Sequence, residues 1–203
     1  MFRTCGDIGP DFGGVMAHLH STIPYLDLKE PISRPGCWAY PDMLEVGNFK
    51  GPNNLTESKT HFGGWCIVSA PLILGMDVTD KENLDAVWPI ISNTEAIAVN
   101  QAWGGHPGRL VEEGGPNDPA PKGPRSYQVW AKKMPDDGQA VFVVNQSPGV
   151  VSDIKIELTA LDLPATANAR DIWEKKDLGT VEGTWAIKEL ASHDSMFVRF
   201  STA

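Results

Sequence analysis

The stretch Trp38-Ala39-Tyr40-Pro41-Asp42-Met43-Leu44-Glu45-Val46-Gly47-Asn48 carries an acid directly after a proline. Read by itself, Asp42 is an Asx-turn residue and Met43 a core residue. An earlier run, Phe2-Arg3-Thr4-Cys5-Gly6-Asp7-Ile8, holds a second isolated acid between Gly6 and Gly9. A lone Asp beside glycines is ordinarily a turn or cap. Arg3, however, is close enough in sequence to orient a carboxylate or a hydroxyl by charge-assisted hydrogen bonds.

Outward from these runs, helix and strand signals alternate. Leu55 to Ser69 reads as a helix ending at Ala70-Pro71. Leu72-Ile73-Leu74-Gly75 is a short apolar run, as expected of a buried parallel strand. Asp77 or Thr79 can cap the next helix, with Asp80, Glu82 and Asp85 placing negative charge near its start. That helix carries Leu84, Val87, Trp88, Ile90 and Ile91, and a shorter helical signal follows around Asn93 to Ala96. Such alternation is the pattern of an α/β architecture. From Gly104 to Pro124 the composition turns to Gly, Pro and Glu, the mark of a connection. Beyond it the period becomes two. Tyr127, Val129 and Ala131 alternate with Gln128 and Trp130, and Asp136-Asp137-Gly138 is a hairpin turn signal before Ala140-Val141-Phe142-Val143-Val144. Further runs at Val151–Leu158, Ala169–Trp173, Gly183–Leu190 and Ser195–Phe200 complete the signature of an antiparallel sandwich.

Composition excludes some functions. The 203 residues carry a net charge of −9, with 17 basic against 26 acidic side chains. No basic surface of that kind neutralises phosphates, so no nucleic-acid partner is expected. No run approaches the roughly 18 apolar residues of a membrane span, so no membrane partner is expected. Seven tryptophans suit packing between units better than sugar stacking. Cys5, Cys37 and Cys66 match no zinc spacing, and Cys66 reads as a buried free thiol. Asn54-Leu55-Thr56 and Asn145-Gln146-Ser147 are glycosylation sequons.

The two opening runs, in order and at matching spacing with Ala70-Pro71-Leu72-Ile73 and Ile97-Ala98-Val99-Asn100-Gln101, resemble the melibiases, the α-galactosidases of glycoside hydrolase family 27. The resemblance covers nearly the whole chain and weakens over the sandwich, where Ser192-His193-Asp194-Ser195 is similar to the polar turn before the last strand. Ser192, His193 and Asp194 are neighbours on one turn and do not form a catalytic triad. The family reads Asn-Asp where this chain has Ala39-Tyr40, and Gly-Gly-Trp where it has Gly36-Cys37-Trp38. The resemblance implies an α/β plus all-β fold: the C-terminal part of a (β/α)8 TIM barrel over residues 1–104, a linker over 105–124, and a C-terminal antiparallel β-sandwich over 125–203.

Glycoside hydrolysis needs two carboxyl groups flanking the scissile bond. By resemblance, Asp7 is the acid/base, and Arg3, Asp42 and Met43 contact the sugar. The family's nucleophile, in a Lys-x-Asp element on an earlier strand, has no counterpart here. The chain is therefore expected to be a C-terminal portion that hydrolyses no α-galactoside alone. The implied substrate is a terminal α-galactoside of an oligosaccharide or glycoconjugate, with an α-N-acetylgalactosaminide as the alternative. A non-catalytic carbohydrate-binding or interaction protein derived from the family is the rival reading. The resemblance implies no metal or organic cofactor. It implies secretion or a lysosome- or vacuole-like compartment if the complete protein carries a signal peptide.

Overall fold

The computed structural model describes residues 1–26, 28–52, 54–114 and 126–202. Its first half is helical, with short parallel strands. Strand β1 (Phe2–Arg3) pairs in parallel with β2 (Ala39–Tyr40), in the register Phe2↔Ala39 and Arg3↔Tyr40. Parallel neighbours need a crossover, and helices α1 (Phe12–Ser21) and α2 (Ile23–Leu26) supply it. Helix α1 begins at Asp11, whose carboxylate accepts from Gly14 N at 2.7 Å. Phe12, Val15, Met16 and Leu19 are its buried stripe, at helical spacing. Helix α3 (Asn54–Ile67) is buried along almost all of its last two turns.

Two expectations for this half are corrected. The run Leu72–Gly75 is no buried strand: a single parallel bridge, Leu44↔Leu74, joins it to the chain, and Ile73 and Leu74 are exposed. Leu44 N donates to Ile73 O and Gly75 N to Leu44 O, and no described segment pairs its other edge. The cap of α4 (Lys81–Ile91) is Asp80, not Asp77 or Thr79. Asp77 is already engaged in a local turn, accepting from both Thr79 N and Thr79 Oγ1. Helix α5 (Thr94–Gln101) runs past Ala96 and absorbs the apolar Ile97-Ala98-Val99, with the Asn93 side chain capping Glu95 N and Ala96 N.

The second half is a sandwich. Strands β3 (Arg109–Gly114), β4 (Tyr127–Lys133), β5 (Gln139–Asn145), β7 (Thr166–Asp171), β8 (Lys176–Glu182) and β10 (Ser195–Thr202) form one sheet in the order β3-β4-β5-β10-β7-β8. Strands β6 (Val151–Glu157) and β9 (Thr184–Leu190) form a second, two-stranded sheet. Every pairing in both sheets is antiparallel. Part of the expected linker is thus sheet: Arg109–Gly114 pairs along β4, while 115–125 lie outside the described residues.

Strands β4 and β5 have period two but no solvent face. Tyr127, Val129, Ala131, Val141 and Val143 pack under the small sheet with Ile154, Ile156, Trp185 and Ile187. Trp130, Phe142, Val144 and Phe197 turn the other way, into the core built by Phe62, Trp65 and Ile67 of α3. The sheet is therefore shared between two cores. Polar groups on its helix side are satisfied: the buried Lys132 donates to Ser69 Oγ, Val99 O and Asn100 O. Burial pushes its ammonium down to about 7. Arg170 of β7 clamps Glu95 of α5 with two bonds near 2.8 Å. On the polar turn, His193 stacks on Phe12 at 4.0 Å and meets Glu57 at 2.7 Å.

The three cysteines are free, with Cys66 buried. The two sequons differ. Asn54 is exposed at the start of α3. Asn145 is wholly buried, its amide donating to Gly149 O, Leu190 O and Ala191 O. A glycan is a surface group. Expression through a glycosylating secretory route is therefore expected to leave Asn145 bare. Peptide mass mapping checks this; a hexose-bearing Asn145 peptide in folded protein would refute the placement. Among the described residues no helix is long and apolar enough to cross a membrane.

Candidate active site

The loops after β1 and β2 leave the same end of the parallel pair, the end where barrel enzymes place their chemistry. Arg3 closes β1 and bridges the two loops. Its guanidinium donates to Asp7 Oδ1 at 2.7 Å, to Gly6 O at 2.7 Å and to Asp42 Oδ2 at 2.5 Å. The structure thus brings Arg3, Asp7 and Asp42 together across a wide gap in sequence. The hydrogen bond it donates to Asp7, with the charge of Asp42 beside it, raises the guanidinium pKa above its ordinary value.

The two acids sit in different surroundings. The Asp7 side chain is 94% exposed and that of Asp42 6%. Asp42 is held at both ends: its Oδ2 also accepts from Ile8 N at 2.9 Å, and its carbonyl accepts from Trp65 Nε1 at 2.8 Å. Its φ is +90°, in the left-handed region that non-glycine residues avoid. A residue there persists only when its surroundings over-determine it, and these bonds do so. Met43 follows, part-exposed on the rim, with its sulfur lying where a Cβ on Gly75 would fall at 2.6 Å. Any side chain at Gly75 would push Met43 aside. Next to Asp42, burial and the nearby carboxylate raise the Tyr40 phenol above its usual value.

Other residues build the loop without having been legible as site residues. His18 of α1 meets Gly14 O and Gly6 O through its two ring nitrogens, tying the Asp7 loop to the helix. Cys5 Sγ donates to Pro41 O at 3.4 Å, a contact between the two loops. Backbone groups such as Ile8 N leave no side-chain signal, and His18 shows only as one of two histidines on a largely apolar helix. Among the described residues no group of three or more His, Cys, Asp or Glu is placed to hold a metal ion. A cleft of about 630 Å³ lies elsewhere, bordered by Leu28, His106, Arg109, Lys133 and Asp162.

Behind the site, His61 is fully buried between Phe49 and Trp65, and burial drives its imidazole pKa down to about 3. The unfolded chain, with a value near 6.5, binds a proton that the folded chain refuses between about pH 3 and 6.5. The stability tied to neutral His61 is complete above pH 6.5 and is lost as pH falls through that window. Relative to His61→Gln, which does not titrate, the wild type should lose up to about 1.4 kcal/mol per pH unit below 6.5. Urea unfolding of both proteins between pH 7 and 4.5 measures this, and a constant difference across the range would contradict it.

Two family models match this chain. The model described as alpha galactosidase A matches residues 1–102, and the alpha galactosidase C-terminal beta sandwich domain matches residues 125–200. An α-galactosidase of Cyamopsis tetragonoloba is 33% identical over 198 residues, covering 95% of this chain and 42% of its own length. Alpha-galactosidase 3 of Arabidopsis thaliana is 34% identical over 148 residues, covering 71% of this chain and 31% of its own. The chain spans less than half the length of these curated relatives. Among solved structures, a GH27 β-L-arabinopyranosidase of Geobacillus stearothermophilus superposes with a TM-score of 0.81 at 23% identity, over 99% of this chain and 44% of that one. α-Galactosidase I of Mortierella vinacea superposes with a TM-score of 0.75 at 22% identity, over 99% and 53%. These structural likenesses establish the fold, part of a (β/α)8 barrel followed by a β-sandwich. With its helical half and its sandwich matched in order, the chain belongs to the alpha galactosidase A family.

Proposed function

We propose that this chain forms the acid/base side of the active site of a retaining α-galactosidase, acting on terminal α-galactosides. The observation that carries the reading is the Arg3 guanidinium bonded to Asp7 Oδ1 and Asp42 Oδ2 at once. Asp7, open to solvent, is the acid/base; Asp42, locked in place, binds the sugar. Both contacts of the Asp42 carboxylate fall on Oδ2, which leaves Oδ1 for a sugar hydroxyl. Met43 lines the rim, and Arg3 fixes the spacing of the two acids.

A barrel needs eight strands, and the described residues supply one parallel pair and one further parallel bridge. The reading therefore assigns 1–104 to a barrel completed by strands outside this chain, which bring the nucleophilic carboxylate. It assigns 125–203, with β3 added from the 105–124 connection, to the sandwich. In the first step the nucleophile attacks the anomeric carbon while Asp7 gives its proton to the departing oxygen. In the second, Asp7 as carboxylate takes a proton from water, which displaces the nucleophile and leaves the sugar with retained configuration. Support for the substrate class comes from the relatives named α-galactosidase and from an α-galactosidase of Saccharomyces cerevisiae whose structure was solved with raffinose. A purely carbohydrate-binding role is not favoured by that company.

The stereochemistry tests the mechanism. With the chain in a closed barrel, proton NMR of aryl α-galactoside hydrolysis should show α-galactose as the first-formed product. β-Galactose first would mean an inverting site, and no release of galactose would overturn the substrate class.

A further inference from the structure

Among the described residues, the loop that carries Asp42 and Met43 has almost no ladder of its own beyond the bridge Leu44↔Leu74. It is bonded instead by one face of helix α3. Trp65 Nε1 donates to Asp42 O at 2.8 Å, His61 Nε2 accepts from Glu45 N at 2.9 Å, and Ser58 Oγ accepts from Gly47 N at 3.2 Å. The three side chains stand three and four residues apart, so they share one helical stripe. They meet the loop in reverse order, as the teeth of a comb would, and all are buried. The two bends of the loop, Asp42 at φ +90° and Gly47 at φ +86°, lie beneath the outer teeth. The middle tooth is an acceptor: the Glu45 amide N–H points at His61 Nε2, which places the ring's lone pair there and its hydrogen on Nδ1. His61 and Trp65 also brace each other edge to face at 4.0 Å.

We propose that Ser58, His61 and Trp65 are positioning residues that template the backbone of 42–47 and thereby aim the Asp42 carboxylate at the sugar. The inference rests on the reading of Asp42 as a sugar contact. Trp65 acts most directly, because its indole holds the carbonyl of the strained residue itself. His61 sets the far side of Met43 and Leu44, so it governs where the rim residue lies over Gly75. None of the three touches substrate. Their effect reaches it through Asp42 and Met43.

The first arm of the test uses the 203-residue chain. His61→Phe keeps a buried ring and removes the acceptor; His61→Gln returns one. Amide exchange at Glu45 should quicken at least tenfold in His61→Phe and return toward wild type in His61→Gln, while Val141 and Phe197 amides stay unchanged. Equal exchange at Glu45 in all three proteins overturns the template. The second arm uses the chain in an active, closed barrel. Trp65→Phe and His61→Phe should each raise KM for an aryl α-galactoside about tenfold, the order of one lost hydrogen bond, with kcat within about twofold. His61→Gln should restore KM. Asp42→Asn separates the two ideas. Unchanged KM in Asp42→Asn sinks the reading of Asp42, whereas a raised KM there with unchanged KM in Trp65→Phe and His61→Phe sinks the template alone.

Discussion

Asp7→Asn, in a protein where this chain completes a barrel, should lower turnover of a natural α-galactoside disaccharide by about 10²–10⁴-fold, the usual worth of general acid catalysis. The amide keeps the shape of the side chain and its contact with Arg3 but has no proton to transfer. The loss should depend on the leaving group. A sugar alkoxide needs protonation as it departs; an activated phenolate barely does. With an activated aryl galactoside the first step should survive and the glycosyl intermediate should accumulate, because water lacks its base. Azide, which needs no base, should then restore turnover and give a glycosyl azide of retained configuration. Asp42→Asn should differ, weakening both substrates alike and showing no azide rescue. The exposure of the Asp7 side chain and the burial of Asp42 agree with that division of labour: one carboxyl must exchange protons with water, the other must stay fixed. Equal loss on both substrates without azide rescue would reduce Asp7 to a turn residue.

Gly63→Val should damage the fold severely. Gly63 is where α3 lies against the six-stranded sheet. A Cβ there would fall 2.5 Å from Phe142 Cε2 and 2.8 Å from Trp173 Cζ2. Both rings are already packed on Phe197, at 5.5 Å each, so neither has room to retreat. Forcing extra carbons into a filled core costs typically 1–3 kcal/mol, and valine adds two methyls beyond that Cβ, so about 3 kcal/mol is expected. The neighbouring glycine provides the contrast. A Cβ on Gly64 would meet Leu19 Cδ2 at 3.3 Å, the end of a flexible side chain. Gly64→Ala gains up to about 1 kcal/mol of helix propensity and should come out near neutral. Urea denaturation of the two variants measures both. Similar midpoints for Gly63→Val and wild type would mean that α3 does not seat on the sheet as described.

These effects show which parts of the molecule the sequence reveals. Helix α3 was legible because the helical signal from Leu55 ends cleanly at Ala70-Pro71. Strands β4 and β5 were legible because their alternation is strong. What period two could not show is that both faces are covered, since Gln128 and Lys132 are of residue types ordinarily found at the surface. They are buried because carbonyls and side chains of the helical half satisfy them. Helix α1 was hidden by Gly13 and Gly14, poor helix formers whose cost is offset by the Asp11 cap and a fully used apolar stripe. Strand β8 was hidden for another reason. It is an exposed edge, with Lys176, Asp177, Gly179 and Glu182 giving no buried face to alternate against. Strand β3 lies in a Gly- and Glu-rich stretch and draws its order from pairing with β4.

Around the candidate site, Arg3, Asp7 and Asp42 stood out as candidate residues, while their meeting was not legible. Only the parallel register of β1 and β2 brings the two loops side by side. The left-handed conformation of Asp42 was likewise invisible, because the groups that hold it are a backbone amide and a tryptophan on a later helix.

The central claim is that the Arg3-bridged acids face the galactose. A crystal structure of the protein in its closed barrel, with galactose bound, tests it most directly. The account predicts Asp42 Oδ1 at about 2.6–3.2 Å from a ring hydroxyl and an Asp7 oxygen within the same reach of the anomeric oxygen. Galactose bound elsewhere, with Asp42 still engaging only Arg3 and Ile8 N and Asp7 turned to solvent, would contradict it.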